Sequence, residues 1–163
     1  VKAGRTRARS PHRTLYAWSD TAAHSTAAAR LHLRTALTEL GVEPETVADA
    51  ELCVTELVSN TRHAKGPYEL RLRILAAEIL VEVHDRSPAM PEIHLLPALP
   101  DPAPGAEPGQ RLDALLAAVT EHGRGLALVA HLTSTACGFR RTSLGKSGWF
   151  ALPLPVPSQP HGA

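Results

Sequence analysis

Glu56, Asn60 and His63 follow one another at spacings of four and three residues. On an α-helix, at about 100° per residue, Asn60 lies about 40° to one side of Glu56 and His63 about 20° to the other. A carboxylate, an amide and an imidazole on one stripe can hold a cation and accept a proton. The same stripe also reads as an ordinary solvated helix face, with Leu57 and Val58 turned toward a core. A second constellation is His84-Asp85-Arg86-Ser87-Pro88-Ala89-Met90-Pro91. An acid at a strand end, followed by small residues, suits a pocket where backbone approaches a flat ligand, and equally a plain strand-to-turn transition. The third is His122-Gly123-Arg124-Gly125-Leu126, a glycine-rich turn opening a helix. Its backbone N–H groups and the positive end of the helix dipole favour phosphate. Gly145-Lys146-Ser147 is not the end of a Walker-type phosphate loop. Position 140, where that loop requires a glycine, is Arg, and the segment lies between two strands.

These segments need elements to carry them. Residues 14–18 read as a first strand. Asp20 or Thr21 can cap a helix running to about residue 40, with Leu31, Leu37 and Leu40 among its apolar positions and Gly41 as its stop. Pro44 opens a second helix reaching about residue 64, whose core face is Val47, Ala50, Val54, Leu57 and Val58. Leu70, Leu72 and Ile74 alternate with Arg71 and Arg73, which predicts a strand with one wet face. Ile79, Val81 and Val83 alternate with Leu80, Glu82 and His84 in the next strand, joined to it by a short hairpin connection. A third helix over 125–132 and two strands near 134–140 and 148–154 complete the order. Helices gathered against a mostly antiparallel sheet make an α+β two-layer sandwich. Residues 86–122 form a long proline-rich connection, either a lid or a floppy insertion, with a short helix predicted at 112–119.

The length of 163 residues suits one domain, and 44% hydrophobic residues supply a core and exclude a wholly disordered chain. Aromatics are only 4%, so Leu, Val and Ala must fill most of it. Cys53 and Cys137 make neither a disulfide framework nor a metal knuckle, and the nine histidines show no paired ligand spacing. No apolar run approaches the roughly 18 residues of a membrane span, and no signal-peptide pattern opens the chain. A cytoplasmic protein is the expectation. Lys2, Arg5, Arg7, Arg9 and Arg13 stand in the first thirteen residues without an acid, so the net +1 conceals a body at −4. The basic arm, residues 1–13, reads as a solvated, flexible terminus. The acidic body argues against direct nucleic-acid binding.

Taken in order, ELVSN, VHDRSPAMP and HGRGL resemble the N, G1 and G2 boxes of the GHKL (histidine kinase-like) ATPase fold. The likeness is closest to the small bacterial anti-sigma-factor serine/threonine kinases and related actinobacterial regulators. It runs from about Leu31 to Leu154 and includes the ending GKSGWFALPL. The resemblance implies ATP and Mg²⁺ as cofactors. Glu56 would act on the attacking hydroxyl, Asn60 would hold Mg²⁺, and Asp85 would accept from the adenine amino group. Ser87 and Ala89 stand where the family carries glycines beside the nucleotide. Gly123, Arg124, Gly125 and Leu126 would lie along the phosphates, and Ser147 would place a hydroxyl near the base. Residues 86–122 become the ATP lid, 14–154 the ATP-binding domain and 155–163 a proline-rich tail. His63 follows Glu56 by seven residues where the family has eight.

Three functions compete. The leading reading is an anti-sigma-factor serine/threonine kinase that sequesters a sigma factor and phosphorylates an anti-anti-sigma (STAS-type) protein, as a homodimer away from membranes. The alternative is a catalytically silent, nucleotide-gated or nucleotide-free protein-binding module on the same fold. A metal or nucleic-acid domain built on the histidines and the basic arm ranks last.

Overall fold

A computed structural model describes residues 12–19, 25–64, 66–91, 124–134 and 136–155. The remainder of the basic arm, most of the lid with its predicted helix at 112–119, and Gly123 lie outside the described residues.

Strand β1 (Arg13–Trp18) leads to helix α1 (Ser25–Glu39). Ala29, Leu33, Ala36 and Leu37 recur at helical spacing and all are buried, which fixes the face α1 turns inward. Gly41 ends the helix at φ +75°, a left-handed conformation that glycine adopts without a Cβ penalty. There the Val42 N–H returns to the Leu37 carbonyl and the Gly41 N–H to Thr38, a Schellman closure.

Helix α2 (Pro44–Ser59) starts on a proline whose missing N–H costs nothing in the first turn. Val47, Ala50, Val54, Leu57 and Val58 are buried as the periodicity predicts, and Cys53 joins them. The α-helix does not continue to residue 64. It tightens into a 3-10 turn over Asn60–His63, held partly by the Thr61 hydroxyl donating to the Val58 carbonyl at 2.7 Å. The predicted stripe through His63 therefore changes. At three residues per turn, backbone position 63 comes over position 60 instead of crossing to the far side of Glu56.

Strands β2 (Tyr68–Ile74) and β3 (Glu78–Asp85) pair as the expected hairpin. After the lid, helix α3 (Arg124–Leu132) precedes β4 (Cys137–Arg141) and β5 (Lys146–Pro153). The sheet order is β1-β2-β3-β5-β4, and every neighbouring pair is antiparallel. The helices pack on one face, with α2 between α1 and α3 and resting on β3 and β5. This is the α+β two-layer sandwich.

Alternation sorts the strands. Leu70, Leu72, Ile79, Val81, Val83, Phe150 and Leu152 are buried under the helices. The opposite face is not the wet surface predicted from Arg71 and Arg73. Glu82 is only 1% exposed there, and both arginines are half-buried. Neighbouring long side chains and their ion pairs cover it, an effect of assembled strands that a single strand's alternation does not carry.

Candidate functional site

Glu56 sits half-buried in the last turn of α2, where the helix packs against α3. Gly125, the second residue of α3, meets it directly. A Cβ at position 125 would collide with Glu56 Oε2 and lie 2.7 Å from the carboxyl carbon. With any larger residue there, the Glu56 carboxylate, the free end of a long side chain, would have to swing away from the start of α3. The glycine thus brings the acid of α2 onto the segment whose N–H groups suit phosphate.

Asn60 follows one turn after Glu56. Its Nδ2 donates to the Glu56 carbonyl at 2.9 Å, which fixes the amide plane and turns Oδ1 the other way. A neutral oxygen presented by an anchored amide suits Mg²⁺, which takes few protein ligands and keeps waters and phosphate oxygens. Among the described residues no cluster of three His, Cys, Asp or Glu side chains could hold a metal by itself.

Asp85 ends β3 on the helix-covered face, in phase with Ile79, Val81 and Val83. Its Oδ1 accepts the Ser87 N–H at 2.7 Å, and the Ser87 hydroxyl in turn accepts the Ala89 N–H at 3.2 Å. These two nested turns start the lid and hold the small residues beside the carboxylate. Asp85 also carries a partner that its motif does not announce. Lys146 lies directly across from it on β5, and its Nζ is 2.9 Å from both carboxylate oxygens. The two side chains, lysine and aspartate, are 4% and 3% exposed. The lysine therefore covers the acceptor expected for the adenine amino group. Oδ2 keeps one lone pair beyond the lysine, and both become available to a ligand if the ammonium shifts. Gly145 permits this arrangement, because a Cβ there would strike the Asp85 carbonyl oxygen.

Ser147 is not brought to Asp85. It pairs with His84 on the opposite face of the sheet, fully buried, with its Oγ 3.3 Å from His84 Nε2. The reason is strand parity: successive residues of β5 alternate faces, and Lys146 is the one in phase with Gly148, Phe150 and Leu152. That phase was available in the sequence, since the apolar members of the run already mark the inner face. Leu126 is a core residue at 7% exposure, and Arg124 opens α3. Ser87 is half-buried and Ala89 exposed, while His63 lies in the 3-10 turn.

The thiols take no part in this chemistry. Burial pushes the Cys53 thiol up to about 12 and raises Cys137 as well, so both stay protonated at neutral pH.

A family model described as the histidine kinase-like ATPase domain matches residues 18–147, most of the chain. This chain belongs to that family, and at this level its function is ATP binding by a regulatory module. No curated protein matches it. No helix among the described residues is long and apolar enough to cross a membrane. Two features suit a nucleotide, the N-terminus of α3 beside Glu56 and the buried carboxylate of Asp85. At the second, Lys146 must be accommodated.

Proposed function

We propose that this chain is an ATP-dependent serine/threonine protein kinase of the anti-sigma type, which sequesters a sigma factor and phosphorylates a serine of an anti-anti-sigma (STAS-type) protein. The observation that supports it best is the closure of Gly125 on Glu56. It sets a carboxylate beside the start of α3, whose N–H groups suit phosphate, and so within reach of a hydroxyl that attacks there. The serine oxygen attacks the terminal phosphorus of ATP, the bond from that phosphorus to the bridging oxygen breaks, and ADP leaves. Glu56 takes the serine proton. Asn60 would hold Mg²⁺, which when bound would supply neutralisation of the phosphate charge.

A second reading, a module that binds partners without phosphotransfer, is favoured by one feature: Lys146 already occupies the carboxylate that selects the base. A single set of measurements separates the two. Thermal shifts with ATP and ADP, with and without Mg²⁺, are compared for wild type, Asn60→Ala and Glu56→Gln. Phosphate transfer to a STAS-type protein is then followed for the same proteins. The kinase reading expects an ATP-induced rise of about 5–10 °C at saturation, dependent on Mg²⁺ and lost in Asn60→Ala. It expects Glu56→Gln to bind ATP and to transfer nothing. Binding without transfer in wild type supports the silent module. No shift at millimolar nucleotide overturns the kinase reading.

A further inference from the structure

On the face of the sheet away from the helices, strand ends surround a cavity of about 620 Å³. Its volume falls within the range of small-molecule sites. Arg71 reaches it from β2, His84 and Arg86 from the end of β3, and Arg140 and Arg141 from β4, with Leu144 of the β4–β5 turn on its wall. None of the nucleotide motifs requires these arginines.

The charge around the cavity is unbalanced. Glu69 pairs with Arg71, and Glu82 takes Arg140 together with the more distant Arg73. Asp85 also borders the cavity, but Lys146 neutralises its carboxylate from the inner face. Arg86 has no carboxylate partner among the described residues. The Arg141 guanidinium donates only to the Pro88 carbonyl, at 3.1 Å, among the described residues. Guanidinium groups gathered around one concavity bind phosphate oxygens through paired N–H bonds and concentrate anions by their summed field. The arginines arrive from three strand ends around one open-mouthed concavity, whereas a site for an extended acidic chain spreads its charges along a groove. Leu144, 70% exposed on the wall, offers apolar surface to an organic portion.

We propose that this cavity is a second ligand site, separate from the nucleotide site, for a small organic phosphate carrying at least two phosphate charges. His84 lines the cavity and Asp85 follows it on the same strand, so the two sites stand back to back across β3. A ligand in the cavity is therefore in a position to influence nucleotide binding.

Pyrophosphate is the probe, titrated calorimetrically into the full chain beside inorganic phosphate and citrate, with and without saturating ATP and Mg²⁺. The site predicts that pyrophosphate binds more tightly than phosphate or citrate and is not displaced by ATP. It predicts a loss of at least about 100-fold in Arg86→Gln/Arg141→Gln, the two arginines without a carboxylate partner among the described residues, tenfold or more for each charge-assisted contact. That variant keeps its response to ATP. If it fails to fold, Arg141→Glu alters one exposed side chain and loses at least about tenfold. Displacement by ATP, undiminished binding by the variants, no binding at millimolar pyrophosphate, or binding only of an acidic peptide would each overturn the proposal. None of these outcomes depends on whether the chain is a kinase.

Discussion

The two faces of the sheet use burial for different ends. Under the helices, Leu70, Val81, Val83 and Phe150 are excluded from water by apolar neighbours, and the stabilisation is non-directional. On the open face, Glu82 is buried as deeply, but beneath Arg140, Arg73 and His84, and its position depends on charge geometry. Strand β3 serves both faces at once, with Val81 and Val83 on one side and Glu82 and His84 on the other. Asp85 breaks the division: it is the acid on the apolar side, and Lys146 is its counter-ion. Burial alone therefore does not distinguish core from site in this protein. The kind of partner does.

The comparison is broken most severely at Lys146. Replacing it with Met leaves the Asp85 carboxylate buried without a cation, and the expected loss is about 3–5 kcal/mol, read from urea unfolding. Adding Asp85→Asn to Lys146→Met should recover most of that loss. A double variant no better than the single one would mean that the lysine acts through packing.

Acid titration examines the other face. Burial pushes the Glu82 carboxyl up, but His84 and Arg140 outweigh it and hold the group at about 2, below its ordinary 4.5. A depressed folded value stabilises above the unfolded value and fades as the pH falls through the folded one. Between about pH 4.5 and 2 the wild type should lose on the order of 3 kcal/mol that Glu82→Gln does not lose. Parallel stability curves for the two proteins would place Glu82 among ordinary solvated acids.

The smallest effect belongs to a pair outside both faces. Arg34 and Glu51 join α1 to α2 at 2.7 Å, with the arginine 60% exposed. Solvent screens such a pair, so Arg34→Ala should cost less than about 1 kcal/mol, and less still as salt is added. A larger loss, measured by the same unfolding assay, would place this pair with the buried ones.

Much of this was legible in the residues. Helix α2 shows itself in the helical spacing of Val47, Ala50, Val54, Leu57 and Val58, and Gly41 marks a stop to α1 that the structure closes as expected. The strands follow from alternation, and the order of the three boxes matches a family whose model covers residues 18–147. What stayed hidden depends on pairing between distant segments. Strand parity alone excludes Ser147 from the side of Asp85, but only the register of β5 against β3 brings Lys146 to the acid. The contact of Gly125 with Glu56 depends on how two helices approach, which neither helix encodes alone. The burial of Glu82 arises from side chains on β2 and β4 that meet only when the sheet is assembled.

The two ion pairs on β3 have a consequence for how the sheet finds its alignment. Asp85 reaches Lys146 on one side, and Glu82 reaches Arg140, the neighbour of Ser147 on β4, on the other. A slip of β5 by a single residue against β3 would turn the lysine outward and withdraw it from the acid, while carrying β4 and its arginine off Glu82. A one-residue slip of β5 on β3 thus breaks two ion pairs at once. The central strands are keyed like a two-pin connector, which seats fully or not at all.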